Sequence, residues 1–121
     1  MPRRVVDLAL EGRFILVSSP ALLEELGRVL RYPKLARVFD DPAGIVSLVE
    51  SVSVVVLPAR RVSILADEED NRLLEAAQAA GADYLVTGDH KLLGLGSFES
   101  TRIVSPREFL DGLGSEADGD Q

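Results

Sequence analysis

Short, continuous apolar runs alternate along the chain with segments of helical period, and that alternation restricts the fold more than any other feature. Residues 14–18 (Phe-Ile-Leu-Val-Ser) form a run of strand length, residues 53–57 are valine-rich and closed by Pro58, residues 84–87 precede Gly88-Asp89, and residues 101–104 form a last run. These runs are apolar throughout rather than alternating, as expected of parallel strands covered on both faces. Helical spacing lies between them. Ser19-Pro20 opens one helix that Tyr32-Pro33 ends, and Asp41-Pro42 opens another. Residues 67–80 form a third, stopped by Gly81, and Ser105-Pro106-Arg107-Glu108 is a capping box for a last one. A helical fragment over 5–10 and an extended piece over 62–65 complete the pattern. The expected class is α/β: a three-layer α/β/α sandwich with a mainly parallel sheet. In such sheets chemistry collects just beyond the C-terminal ends of the strands.

At 121 residues the chain has enough sequence for one core, so residues 1–113 are expected to form a single domain and residues 114–121 a disordered acidic tail. There is no cysteine and one histidine, His90, which excludes a disulfide framework, a thiolate centre and a multi-histidine zinc site. No apolar run approaches the length of a membrane span, and the start of the chain lacks the apolar stretch of a signal peptide. A cytoplasmic protein is expected. The net charge of −7 is unevenly spread: residues 1–38 carry +3 and residues 39–121 carry −10. Such a protein is a poor non-specific binder of nucleic acid. Arg28, Arg31, Lys34 and Arg37 recur at three-residue steps. On one helix they form either a local phosphate-facing stripe or a solvated face.

Three carboxylates stand in informative places. At about 100° per residue, Glu25 lies about 40° outside the apolar arc of its helix, while Glu24 faces solvent. Asp70 falls inside the apolar arc of the 67–80 helix, where a carboxylate needs a partner. Asp89 follows a strand and a glycine, which delivers it to the strand's C-terminal edge. Each has a structural alternative: a snorkelling surface residue at 25, first-turn capping by Asp67 and Asp70, and an N-cap at 89. Taken together, the three share one rim of a parallel sheet. Two carboxylates about 4 Å apart repel by roughly 4 kcal/mol at an effective dielectric of about 20. With no cysteine and one histidine, the natural counter-charge is a hard divalent cation such as Mg²⁺ or Mn²⁺. Such an ion activates water and neutralises phosphate, which points to metal-assisted phosphodiester hydrolysis.

The stretches ALEGRFILVSSPALLEELGRVLRYPKL, LADEEDNRLLEAAQAAGADYLVTGDHKLL and IVSPREFL resemble the PIN-domain proteins. The likeness is nearest to the toxin components of prokaryotic toxin–antitoxin pairs. It implies an α/β/α sandwich and a Mg²⁺- or Mn²⁺-dependent endoribonuclease, with an antitoxin protein as partner. The family's acidic cluster maps onto Glu25, Asp70 and Asp89 as catalytic and metal-binding residues. Thr87 takes the place of a substrate-binding hydroxyl, and Asp67 that of an outer ligand. The family also begins with a central strand ending in an aspartate. This chain is expected to lack that first strand, since Asp7 falls on a helix. Direct pairing of the neighbouring strands, a partner chain in the gap, a degenerate site or a truncated reading frame would each account for it.

Two functions follow. One is a ribonuclease working through Glu25, Asp70 and Asp89. The other is a catalytically degenerate module that binds a protein or forms a homodimer through open sheet edges. His90 is either a general acid beside Asp89 or an inert surface residue. A small-molecule or phosphoacceptor domain fits poorly, because the glycine-rich residues 94–97 follow a helix rather than a strand.

Overall fold

A computed structural model describes residues 3–119, with side-chain surroundings for residues 7–113. Helix α1 spans Arg3–Leu10, strand β1 Leu16–Ser18 and helix α2 Pro20–Leu30. A short turn of helix, α3 (Pro33–Ala36), precedes α4 (Pro42–Val52), β2 (Ser53–Val55) and α5 (Glu68–Ala80). Then come β3 (Tyr84–Val86), α6 (His90–Leu95), β4 (Ser97–Phe98), β5 (Thr101–Val104) and α7 (Pro106–Gly119). The α/β class holds. The tail expected from residue 114 overlaps the end of α7, and its residues 120–121 lie outside the described residues.

Local chemistry sets the element ends. Ser19 accepts the Leu22 N–H at 3.3 Å with Pro20 in the first turn of α2, and Asp41 does the same for Gly44 at 3.1 Å ahead of α4. Ser105 and Glu108 cap α7 reciprocally, through bonds of 3.1 and 3.0 Å. Gly81 closes α5 at φ 60°, ψ 39°, a left-handed conformation that glycine adopts without a Cβ penalty.

The single sheet expected from the sequence is divided. β1 pairs in parallel with β2, Leu16 opposite Ser53. Separately, β5 lies between β3, which is parallel to it, and the short β4, which is antiparallel. No ladder joins β1 to β3 among the described residues, so direct pairing of these neighbours does not occur. The apolar core sits on the side of the second sheet. Val62, Leu74, Leu92 and Ile103 are buried together, with Leu65, Leu73, Leu85, Leu93 and Phe98 packed around them. Phe109 of α7 stacks edge-on against Phe14 and Tyr84, with centroids 5.0 and 5.7 Å apart.

Residues 62–65, expected as an extended piece, make no ladder. Their backbone bonds go to α5 instead: Val62 N–H donates to Glu75 Oε2 at 2.8 Å, and Asn71 bonds both the N–H and the C=O of Leu65 at 3.0 and 2.9 Å. Buried Asn71 and Glu75 thus satisfy main-chain groups that a strand partner would otherwise meet. The row Arg28, Arg31, Lys34, Arg37 is broken, because α2 stops at Leu30 and the chain turns at Tyr32-Pro33 before α3. Three-residue steps share a face only on one continuous helix. Among the described residues no helix is long and apolar enough to cross a membrane.

Candidate functional site

Three starting points of helices bring acids together. α2 leaves β1 through Ser19 and carries Glu25 in its second turn. α5 begins with Asp67-Glu68-Glu69-Asp70. β3 ends at Val86, and Thr87-Gly88-Asp89 leads into α6. Acids in a first helical turn are favoured by the free N–H groups and the positive end of the helix dipole, which helps α5 tolerate its run of four.

Asp67 and Asp89 both cap. Asp67 Oδ1 accepts the Glu69 N–H at 2.9 Å, and Asp89 Oδ1 accepts the N–H groups of Lys91 and Leu92 at 2.7 and 3.3 Å. Asp89 is itself held by the Thr87 hydroxyl, whose Oγ1 accepts the Asp89 N–H at 3.0 Å. Thr87, mapped as a substrate-binding residue, thus orders the turn that carries Asp89. Its hydroxyl proton remains available to another acceptor.

Asp70 is different. It is 7% exposed, and its Oδ2 is buried with no hydrogen-bond partner. Burial pushes its carboxyl up from the ordinary carboxylate range, and the charges of Asp89, Asp67 and Glu69 add to the shift while Lys91 opposes it. Glu25 is half-buried, and burial raises its carboxyl from 4.5 to about 7. A hydrogen bond to Glu69 and the charges of Glu69 and Asp67 push the same way, against Arg28. Arg28 Nη2 in turn lies 2.6 Å from Glu69 Oε1.

Glu25 therefore feels the charges of Glu69 and Asp67, while Asp70 feels those of Asp89, Asp67 and Glu69. Asp67 and Glu69 link the two halves of a continuous acidic field. Among the described residues no three His, Asp or Glu side chains are gathered closely enough to chelate an ion as they stand. The donor set nevertheless suits a hard cation: oxygen ligands, mutual repulsion, and one buried oxygen left without a partner. Sequence reasoning missed Glu69 and Lys91, and it read Arg28 as part of a basic row rather than as the cation beside Glu25 and Glu69. Glu69 had a signal, since it lies beside Asp70 on the flank of the same helix. His90 is exposed at the start of α6.

A family model described as PIN domain matches residues 1–91. The uncharacterized protein MJ1680 of Methanocaldococcus jannaschii is 26% identical over 122 residues, covering 92% of this chain and 78% of that protein. No solved structure gives a significant match.

Proposed function

This chain belongs to the PIN domain family, generally a fold of metal-dependent nucleases, and from that premise we propose that it is a Mg²⁺- or Mn²⁺-dependent endoribonuclease. The observation that carries the reading is the Asp70 Oδ2, buried without a partner inside a field of carboxylates. Asp70, Asp89 and Glu25 are the residues that would hold the ion, with Asp67 as an outer ligand. When bound, the ion supplies an activated water and a positive charge against the scissile phosphate.

The chain's own residues do the rest. The Thr87 hydroxyl and the N-terminal amides of α6 hold Asp89 in one orientation. Glu25, raised to about 7 before an ion binds, gives up its proton near neutral pH as the cation arrives, so metal binding strengthens as pH rises through 7. Lys91, exposed and near enough to Asp70 to lower its pKa, offers a cation to a phosphate oxygen. We read the architecture as the α/β/α sandwich of the family. We place the protein in the cytoplasm as the toxin of a toxin–antitoxin pair, restrained by an antitoxin protein.

The test is cleavage of single-stranded RNA by purified protein with Mn²⁺, wild type against Asp70→Asn. Cleavage by the wild type that Asp70→Asn abolishes supports the assignment. Equal cleavage by both means a contaminating nuclease and ends it. A second reading, a degenerate domain that binds a protein or dimerises, draws on the absence of a chelating trio among the described residues. It predicts no Mn²⁺ binding by calorimetry and a stable dimer by light scattering.

A further inference from the structure

The sequence carries a basic row that the acidic site leaves unused. Residues 26–39 hold four cations, Arg28, Arg31, Lys34 and Arg37, and no acid, in a chain of net charge −7. The break between α2 and α3 wraps this row around a corner at Tyr32-Pro33 instead of laying it along one helix. Arg31, Lys34 and Arg37 are exposed, and none of the three forms an ion pair among the described residues. Arg31 Nη1 donates to the Gly27 carbonyl at 2.7 Å, which fixes the side chain and leaves its charge uncompensated. Arg60, Arg61 and Arg72, by contrast, are all paired with glutamates.

An aromatic ring stands at the bend. Tyr32 is 49% exposed, while its backbone is held from both sides. Its N–H donates to Val29 at 3.1 Å, its C=O accepts from Leu35 and Ala36 at 2.9 and 2.8 Å, and Pro33 follows. The ring is therefore presented on a fixed backbone, with only its side-chain torsions left to order on binding. Its hydroxyl is hydrogen-bonded to Arg28, the arginine that lies 2.6 Å from Glu69. Through Glu69, Arg28 joins the corner to the carboxyls of Glu25 and Asp70.

A fixed, exposed ring beside unpaired cations suits a single nucleic-acid strand, whose bases stack on the ring while its phosphates meet the cations. A duplex keeps its bases stacked inside and offers no free face to Tyr32. An acidic peptide would satisfy the cations and leave the ring without a partner. We propose that the corner between α2 and α3 binds single-stranded RNA beside the acidic field, with one base stacked on Tyr32 and the adjacent phosphates held by Arg31, Lys34 and Arg37. The inference deepens the ribonuclease reading and rests on it for the identity of the strand.

Binding is read in chelator, where a metal-dependent nuclease is silent, as the fluorescence anisotropy of a labelled RNA strand of about ten nucleotides titrated with the full chain. The wild type should bind this strand more tightly than a duplex of the same length. Tyr32→Leu should weaken binding about fivefold or more, and Tyr32→Phe, which keeps the ring, should bind as the wild type does. Arg37→Ala should reduce the slope of log affinity against log salt by about 0.7, the share of one phosphate contact on a single strand. No binding by the wild type overturns the proposal, as does equal binding by Tyr32→Leu or by the duplex. Tyr32-dependent binding of a glutamate-rich peptide without binding of the strand overturns it too, because the partner would then be a protein. Cleavage of the same strand with Mn²⁺ is measured separately. Cleavage with binding indifferent to Tyr32 removes this site and leaves the nuclease; Tyr32-dependent binding without cleavage removes the nuclease and leaves the corner.

Discussion

Arg28 of α2 and Glu69 of α5 form a 2.6 Å ion pair that ties the two helices together beside Glu25. Both side chains are about half exposed, 50% and 49%, so the pair adds little to stability. Its effect is on the neighbouring carboxyl, since Arg28 is the cation that opposes the upward shift of Glu25. Replacing Arg28 with alanine should leave the thermal midpoint almost unchanged and move the Glu25 titration to higher pH. Carbon-detected NMR of the Glu25 carboxyl checks this. A large loss of stability with no change in the titration would contradict it.

The raised Glu25 carboxyl makes stability depend on pH in a set direction. The folded state holds this proton to about 7 and the unfolded chain only to about 4.5, so between those values the folded state binds more protons. The contribution is complete below 4.5 and is lost as pH rises through 7. Discounted for partial exposure, it amounts to about 1 kcal/mol. Asp70, also raised, acts in the same sense, whereas Glu108, lowered by its Ser105 bonds, acts oppositely at acid pH. Glu25→Gln isolates the term. With chelator present, the wild type should lose stability relative to the variant as pH rises through 7, read from urea midpoints.

Caps and turns were legible because each depends on a few adjacent residues: Ser19-Pro20, Asp41-Pro42, Gly81, and Ser105 with Glu108. The wheel also placed Asp70 on the buried stripe of α5, where it is 7% exposed. What stayed hidden lies between elements. A wheel scores Glu69 against its own helix, and nothing in that pattern shows the α2 carboxyl it meets. Residues 62–65 carry the apolar, β-branched composition of a strand, yet Glu75 and Asn71 supply their hydrogen bonds. Local pattern cannot distinguish a strand partner from a buried side chain.

Gly81 offers a clean measurement of backbone strain. Its φ of 60° lies in the left-handed region, and a Cβ added there meets no atom within 4 Å. Substitution therefore costs conformation and no packing. Gly81→Ala should destabilise by about 1 kcal/mol, and Gly81→Asn by less, because asparagine visits this region more readily. Chemical denaturation of the three proteins gives the order directly. Equal stability of the glycine and alanine forms would show that the turn relaxes out of the left-handed region.

Asp70 sets stability against function. Its place in the first turn of α5 favours a carboxylate by about 0.3–1 kcal/mol through the helix dipole. Burial and the like charges of Asp89, Asp67 and Glu69 outweigh that, since the carboxyl is raised rather than lowered. Asp70→Asn keeps the shape and removes the charge, so in chelator the variant should melt higher than the wild type. Mn²⁺ reverses the order. An ion at about a hundred times its dissociation constant stabilises the protein that binds it by about 2.7 kcal/mol, and the variant lacks the ligand. Differential scanning fluorimetry with and without Mn²⁺ should therefore show the two melting curves exchange places. A wild type unmoved by Mn²⁺ would leave Asp70 a buried charge without a cation, and the ribonuclease reading would fall with it.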